Sequence, residues 1–126
     1  MSYAVLDYPA GSTNPPHTHS RSAELLFLVR GGLKVGFVDT ANKLFTQTLQ
    51  AGGLFVFPKG LVHFQCNAHP QKLGLAISAF GSANAGTVSL PNTLFASCID
   101  DNVLPISFKT DVATIQALKD ALAPKP

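Results

Sequence analysis

The sequence predicts an all-β fold, a sandwich or barrel with a C-terminal helix. Three observations carry that prediction. Apolar and polar residues alternate through most of the first 81 positions, turn residues break the alternation about every 8–12 residues, and helical spacing is confined to the end of the chain. The 126 residues suit one domain, taken here as 1–126 with a β core over about 1–81 and a helix over about 108–123.

Each element follows in order. Met1 leads straight into strand-like sequence, so no secretory leader is expected within the chain. Glu24 to Arg30 is rich in Leu, Phe and Val and stops at Gly31-Gly32. Leu33, Val35 and Phe37 then alternate with Lys34, Gly36 and Val38. Asp39 to Lys43 supplies a turn, and Leu44 to Leu49 resumes as a strand. Leu54 to Phe57 reads as a buried run between Gly52-Gly53 and the turn Pro58-Lys-Gly60. Val62 to Cys66 and Leu73 to Phe80 are two further strands around a polar loop. Leu90 to Ala96 suits one short helical turn. Val112, Ile115, Leu118 and Leu122 then fall at helical spacing, with Thr110 or Asp111 as N-cap.

Hydrophobic residues make up 46% and charged residues 13%, about half the usual 25% or so, which excludes a disordered chain. The net charge of +2 is spread thinly, and no like-charge cluster exceeds Asp100-Asp101, so neither nucleic acid nor a membrane surface is an expected partner. The longest apolar stretch, Leu25 to Val29, is too short to span a bilayer. Cys66 and Cys98 are too few for a disulfide framework and are expected to be small buried residues. Apolar sequence at Leu33 to Phe37, Leu90 to Phe95 and Val112 to Leu122 exceeds what a small monomer should expose.

The chain uses glutamate once, at Glu24, with His17 and His19 within seven residues of it. Residues two apart on a strand share a face, so His17 and His19 can offer imidazoles to one metal. Glu24 lies at an odd offset, and the small polar stretch Ser20 to Ala23 can turn the chain so that it returns on a neighbouring strand. His63 follows the turn at Pro58-Lys-Gly60. Three imidazoles and a carboxylate suit a divalent first-row metal with coordination positions left open. Unrelated surface histidines remain the alternative at this point.

The pattern Gly11-x5-His17-x-His19-x4-Glu24-x6-Gly31 resembles the first motif of the cupins as it occurs in germins. Gly52-x5-Pro58-x-Gly60-x2-His63-x3-Asn67 resembles the second. Thr13 to His17, Arg21 to Glu24, Phe55 to Gly60, Ser78 to Ser82 and Phe108 to Asp111 extend the similarity to plant germin-like proteins along most of the chain. The resemblance implies a single-domain cupin jelly roll that binds Mn2+ through His17, His19, Glu24 and His63. It places Asn14, as a catalytic candidate, on the open side of the metal. Asn67 reads as a structural loop residue and His69 as a solvated one. The resemblance further implies a homo-oligomer in the extracellular apoplast or cell wall.

Departures from the pattern qualify these expectations. Germins carry a longer N-terminal segment with a disulfide, so the chain reads as N-terminally shortened. Arg30, Gly53 and Pro105 also differ, and Pro105 interrupts a region that is usually a short helix. Oxalate-oxidising germins carry a second active-site asparagine ten residues before the Asn14 position, where this chain has Ala4. The leading expectation is therefore a manganese superoxide dismutase. Oxalate oxidase, an auxin-binding-like module holding a small carboxylate, and a non-catalytic storage cupin are the alternatives.

Overall fold

Period-two alternation in the sequence becomes two facing antiparallel sheets in space. The structure, a computed structural model, describes residues 1–124. Eight strands precede a short ninth: β1 (Ser2–Tyr8), β2 (Thr13–Thr18), β3 (Glu24–Arg30), β4 (Gly32–Val38), β5 (Leu44–Gln50), β6 (Leu54–Phe57), β7 (Val62–Cys66), β8 (Gly74–Phe80) and β9 (Val88–Ser89). One sheet runs β1-β8-β3-β6 and the other β5-β4-β7-β2-β9. This is the jelly roll that the sequence predicts.

The interior is built by alternation. Leu26, Leu28, Phe57, Ala76 and Tyr8 point inward from the first sheet and meet Leu33, Val35 and Leu49 from the second. The β4–β5 hairpin closes where expected: Asp39 Oδ1 accepts from the Ala41 and Lys43 amides, and Asn42 takes a left-handed φ of 60°. At Gly31 the backbone has φ +84°, and a Cβ would sit 2.7 Å from the Leu73 carbonyl oxygen. No side chain fits there, which explains the glycine after β3.

Three surface expectations need correction. Leu54 to Phe57 is not a buried run, because β6 is an edge strand: Phe57 points in while Leu54 and Val56 face out. Cys66 is half-buried and Cys98 exposed, both free, since each sits where the chain leaves regular structure. Leu33 and Val35 are interior and Phe37 packs against them, so this stretch is core rather than exposed surface. The exposed apolar surface lies elsewhere. Two rows cross the outer face of the four-stranded sheet, Tyr3–Ala79–Leu25–Val56 and Val5–Ile77–Phe27–Leu54.

The chain divides into two compact units, Met1–Val88 and Ser89–Pro126. The second holds α1 (Leu90–Phe95), α2 (Leu104–Ser107) and α3 (Val112–Leu122). Asp111 caps α3, accepting from the Thr114 amide at 2.7 Å. Pro105 does not interrupt α2 as the sequence suggested. It lies in the first helical turn, where the missing amide has no intrahelical partner to lose.

Candidate metal centre

His17 lies on β2 directly opposite His63 on β7, and their ring centroids are 4.1 Å apart. His19 follows just beyond the end of β2. Glu24 opens β3, which belongs to the opposite sheet, so the Ser20–Ala23 segment carries the chain across the sandwich rather than to an adjacent strand. The odd offset ceases to matter, because residues from facing sheets converge on the space between them. Glu24 Oε1 stands 3.1 Å from His19 Nε2 and 3.2 Å from His63 Nε2. One donor atom from each of the four residues lies within 4.8 Å of the others, and all four side chains are buried.

Each imidazole is oriented from behind. The Nδ1 atoms of His17, His19 and His63 meet the carbonyl oxygens of Pro15, Gly86 and Leu61 at 2.7, 2.6 and 2.9 Å. A carbonyl only accepts, so each Nδ1 carries the hydrogen; a ring that also donates from Nε2 to Glu24 is then an imidazolium, and loss of that proton leaves the Nε2 lone pair for the centre. Burial would raise the Glu24 pKa, but hydrogen bonds from His19, His63 and Ser78 outweigh it and bring it down to about 2. The Ser78 hydroxyl donates to Oε2 at 2.6 Å, leaving Oε1 turned to the histidines. Burial, followed by neighbouring His63, lowers the His17 pKa, whereas the hydrogen bond to Glu24 raises that of His19. Three neutral nitrogen donors and one ionised oxygen donor fit a divalent first-row metal.

Asn14 reaches the same space for a local reason. It lies three residues before His17, which on an unbroken strand would place the two on opposite faces. Pro15 and Pro16 have no amide hydrogen to give the ladder, and the β2–β7 register shifts between Asn14 and His17. The irregularity brings both to the interior. Asn14 Nδ2 donates to Gln65 Oε1 at 2.7 Å, and Asn14 lines a cavity of about 420 Å³ together with His17, His19 and Glu24. Ser2, Tyr3, Ala4, Leu6, Phe80 and the Ala83–Thr87 segment complete its wall, and no lysine or arginine among the described residues lines it.

Asn67 is structural: its Nδ2 donates to the carbonyls of Tyr8 and Lys72 at 2.9 and 2.8 Å. His69 is exposed, and its Nδ1 accepts from the Gln71 and Lys72 amides. Sequence reasoning missed the parts played by Ser78 and Gln65. The signal was present, since alternation from His63 puts Gln65 on the same face, and Ser78 interrupts an apolar inward row between Ala76 and Phe80.

The cupin family model matches residues 1–116. Germin-like protein 9-3 of Oryza sativa subsp. japonica is 65% identical over 98% of this chain, and Germin-like protein subfamily 2 member 4 of Arabidopsis thaliana is 46% identical over 99%. The chain spans 58% of the length of each. A solved oxalate oxidase superposes with a TM-score of 0.92 at 35% identity, over 95% of this chain and 62% of that one. Oxalate oxidase in complex with the substrate analogue glycolate gives 0.92 at 34%, with the same coverage. The shared motifs, fold and buried donor cluster thus agree: the chain belongs to the cupin family, and within it resembles the germin-like proteins of plants.

Proposed function

We propose that His17, His19, Glu24 and His63 bind one manganese ion per chain and that the protein dismutates superoxide. Bound manganese would supply a one-electron couple that takes an electron from one superoxide and returns it to the next, giving dioxygen and, with two protons, hydrogen peroxide. The observation that carries this reading is the charge of the cavity. A divalent ion, one carboxylate and three neutral imidazoles sum to a single positive charge, which a monoanion neutralises. A dianion such as oxalate would bring a second negative charge to a wall with no lysine or arginine, and Ala4 adds no hydrogen-bond donor there. Asn14 lies beside the donors as the polar side chain that would steady a ligand on the open side.

The likeness to oxalate oxidase favours a second reading, oxidation of oxalate at the same centre. One sample decides between them. Manganese-loaded protein is assayed for superoxide dismutation and for hydrogen peroxide release from oxalate. We expect the first to be clear and the second weak or absent. Peroxide release from oxalate without superoxide activity would reverse the ranking.

The apolar rows on the outer face of the four-stranded sheet support a homo-oligomer, at least a dimer, because a soluble monomer rarely leaves so continuous a patch in water. Sedimentation that finds only a 13.3 kDa species would remove that part of the reading. By family resemblance, the protein works outside the cell.

A further inference from the structure

The three histidines are not held alike. His17 and His63 each give their Nδ1 hydrogen to a carbonyl two residues earlier, so local backbone fixes both tautomers. The nearest acceptor for His19 is Gly86 O at 2.6 Å, 67 residues away in an irregular stretch of small residues, and Thr87 Oγ1 lies 3.3 Å from the same nitrogen. Glu24 Oε1 offers a competing arrangement to two of the rings, standing 3.1 Å from His19 Nε2 and 3.2 Å from His63 Nε2, but only His19 relies on a distant carbonyl to resist it. With its hydrogen on Nε2 instead, His19 could donate to Glu24 Oε1 at 3.1 Å, and the nitrogen lone pair needed by a metal would be lost.

What aims the Gly86 carbonyl is the segment between His19 and Glu24. Arg21 Nε donates to Asn84 O at 2.6 Å, and the Arg21 amide donates to Ala85 O at 3.1 Å. Ser22 Oγ accepts from the Gly81 amide at 2.7 Å, at the start of the same stretch. Gly86 adopts φ +74° against the guanidinium, and a Cβ there would stand 2.6 Å from Nη2. We infer that Arg21 is a positioning residue for His19. By holding the 84–86 backbone, its side chain keeps the Gly86 carbonyl on Nδ1 and the Nε2 lone pair available. The inference rests on the metal-binding reading for its affinity arm but not for its tautomer arm.

The test uses the full chain, metal-free and then titrated with Mn2+. Imidazole tautomers are read by nitrogen-15 NMR well above the ordinary imidazole pKa, and manganese affinity by the ion's paramagnetic resonance signal. In Arg21→Ala, we expect His19 to shift toward the Nε2–H form, with His17 and His63 unchanged, and affinity to fall roughly 10- to 100-fold. Arg21→Lys keeps the charge and the stem but not the planar fork, and serves if the alanine variant folds poorly. It should show the same shift with a smaller loss. The inference is overturned if His19 keeps its hydrogen on Nδ1 in a folded variant, whether or not affinity falls. An affinity unchanged within about twofold overturns it as well. Wild-type protein that shows the Nδ1–H tautomer but binds no manganese would instead defeat the metal reading.

Discussion

Along β3 the interior changes character within four residues. Leu26 and Leu28 lie in a layer of Phe57, Leu33, Val35, Leu49 and Ala76, all apolar and all closed to water. Glu24, one inward position earlier, lies among His19, His63 and Ser78 and is just as closed. The same strand and the same alternation build both regions. The apolar layer is held by contact area and has no preferred partner for any one atom. The polar layer is held by directed contacts, each spent on an orientation. The apolar layer should therefore set stability and the polar layer metal binding, with limited exchange between them.

Leu28→Ala tests the first half of that division and should have the largest effect. Leu28 is fully buried, so truncation should cost about 2–5 kcal/mol by denaturant unfolding. Below its lowered melting point, the variant should still take up manganese with wild-type affinity. A loss of affinity in parallel with stability would show that the two layers act as one.

Glu24→Gln reverses the design. It keeps the shape of the side chain and removes the one anionic donor, so manganese affinity should fall by more than about tenfold, or about 1.4 kcal/mol. The change in the stability of the stripped protein should be smaller than that for Leu28→Ala. Titration calorimetry and unfolding curves on one preparation check both.

The polar layer also predicts how metal stabilisation depends on pH. In the stripped protein, the Glu24 contribution is complete above its ordinary value of 4.5 and is lost as pH falls toward about 2. Its carboxylate is therefore ready at every pH where the histidines titrate. His19, with its pKa raised above the ordinary 6.5, contributes stability that is present below that value and lost as pH climbs through its raised one. His17, with its pKa lowered, acts in the opposite sense, so the two partly offset each other in the stripped protein. Metal must displace any proton on Nε2. The gap in melting temperature between loaded and stripped protein should widen as pH rises through the imidazole range. A gap that narrows would mean that the histidines are not the donors.

The apolar layer was legible in the sequence only in part. Leu33 and Val35 alternate with Lys34 and Gly36 and so share a face, but Leu25 to Val29 is an unbroken apolar run that does not say which of its residues point inward. The four donors were legible through spacing and resemblance together. The orientation around them was not. Nothing local to His19 points to Gly86 O, and nothing about Ser78 names Glu24 as its partner; those contacts exist only once two sheets face each other. Pro15-Pro16 can be read off the sequence, but its effect on register, which brings Asn14 to the His17 face, depends on pairing with β7. On the outside, the unbroken run left open which residues face away from the core, and the alignment of Leu25 and Phe27 with Ala79, Ile77, Val56 and Leu54 required the strand order.

The smallest predicted effect lies at the seam between the layers. Tyr8 packs its ring in the apolar cluster, while its hydroxyl is buried with no hydrogen-bond partner among the described residues. Burial and then the charge of Glu24 push its pKa well above the ordinary phenol range, so it stays neutral while the carboxylate and the imidazoles titrate. Gln65 Nε2 is likewise buried and unpartnered among the described residues. A buried hydroxyl that gives up its hydration without gaining a protein partner opposes folding, and removing it leaves the ring packing intact. Tyr8→Phe should therefore be neutral or stabilising by up to about 1 kcal/mol in denaturant unfolding, with manganese affinity unchanged. A loss of stability larger than that would mean that a bound water satisfies the phenol, and the polar layer would then extend further into the interior than its protein contacts show. A loss of manganese affinity with stability unchanged would go further, making Tyr8 part of the metal site despite its place in the apolar cluster.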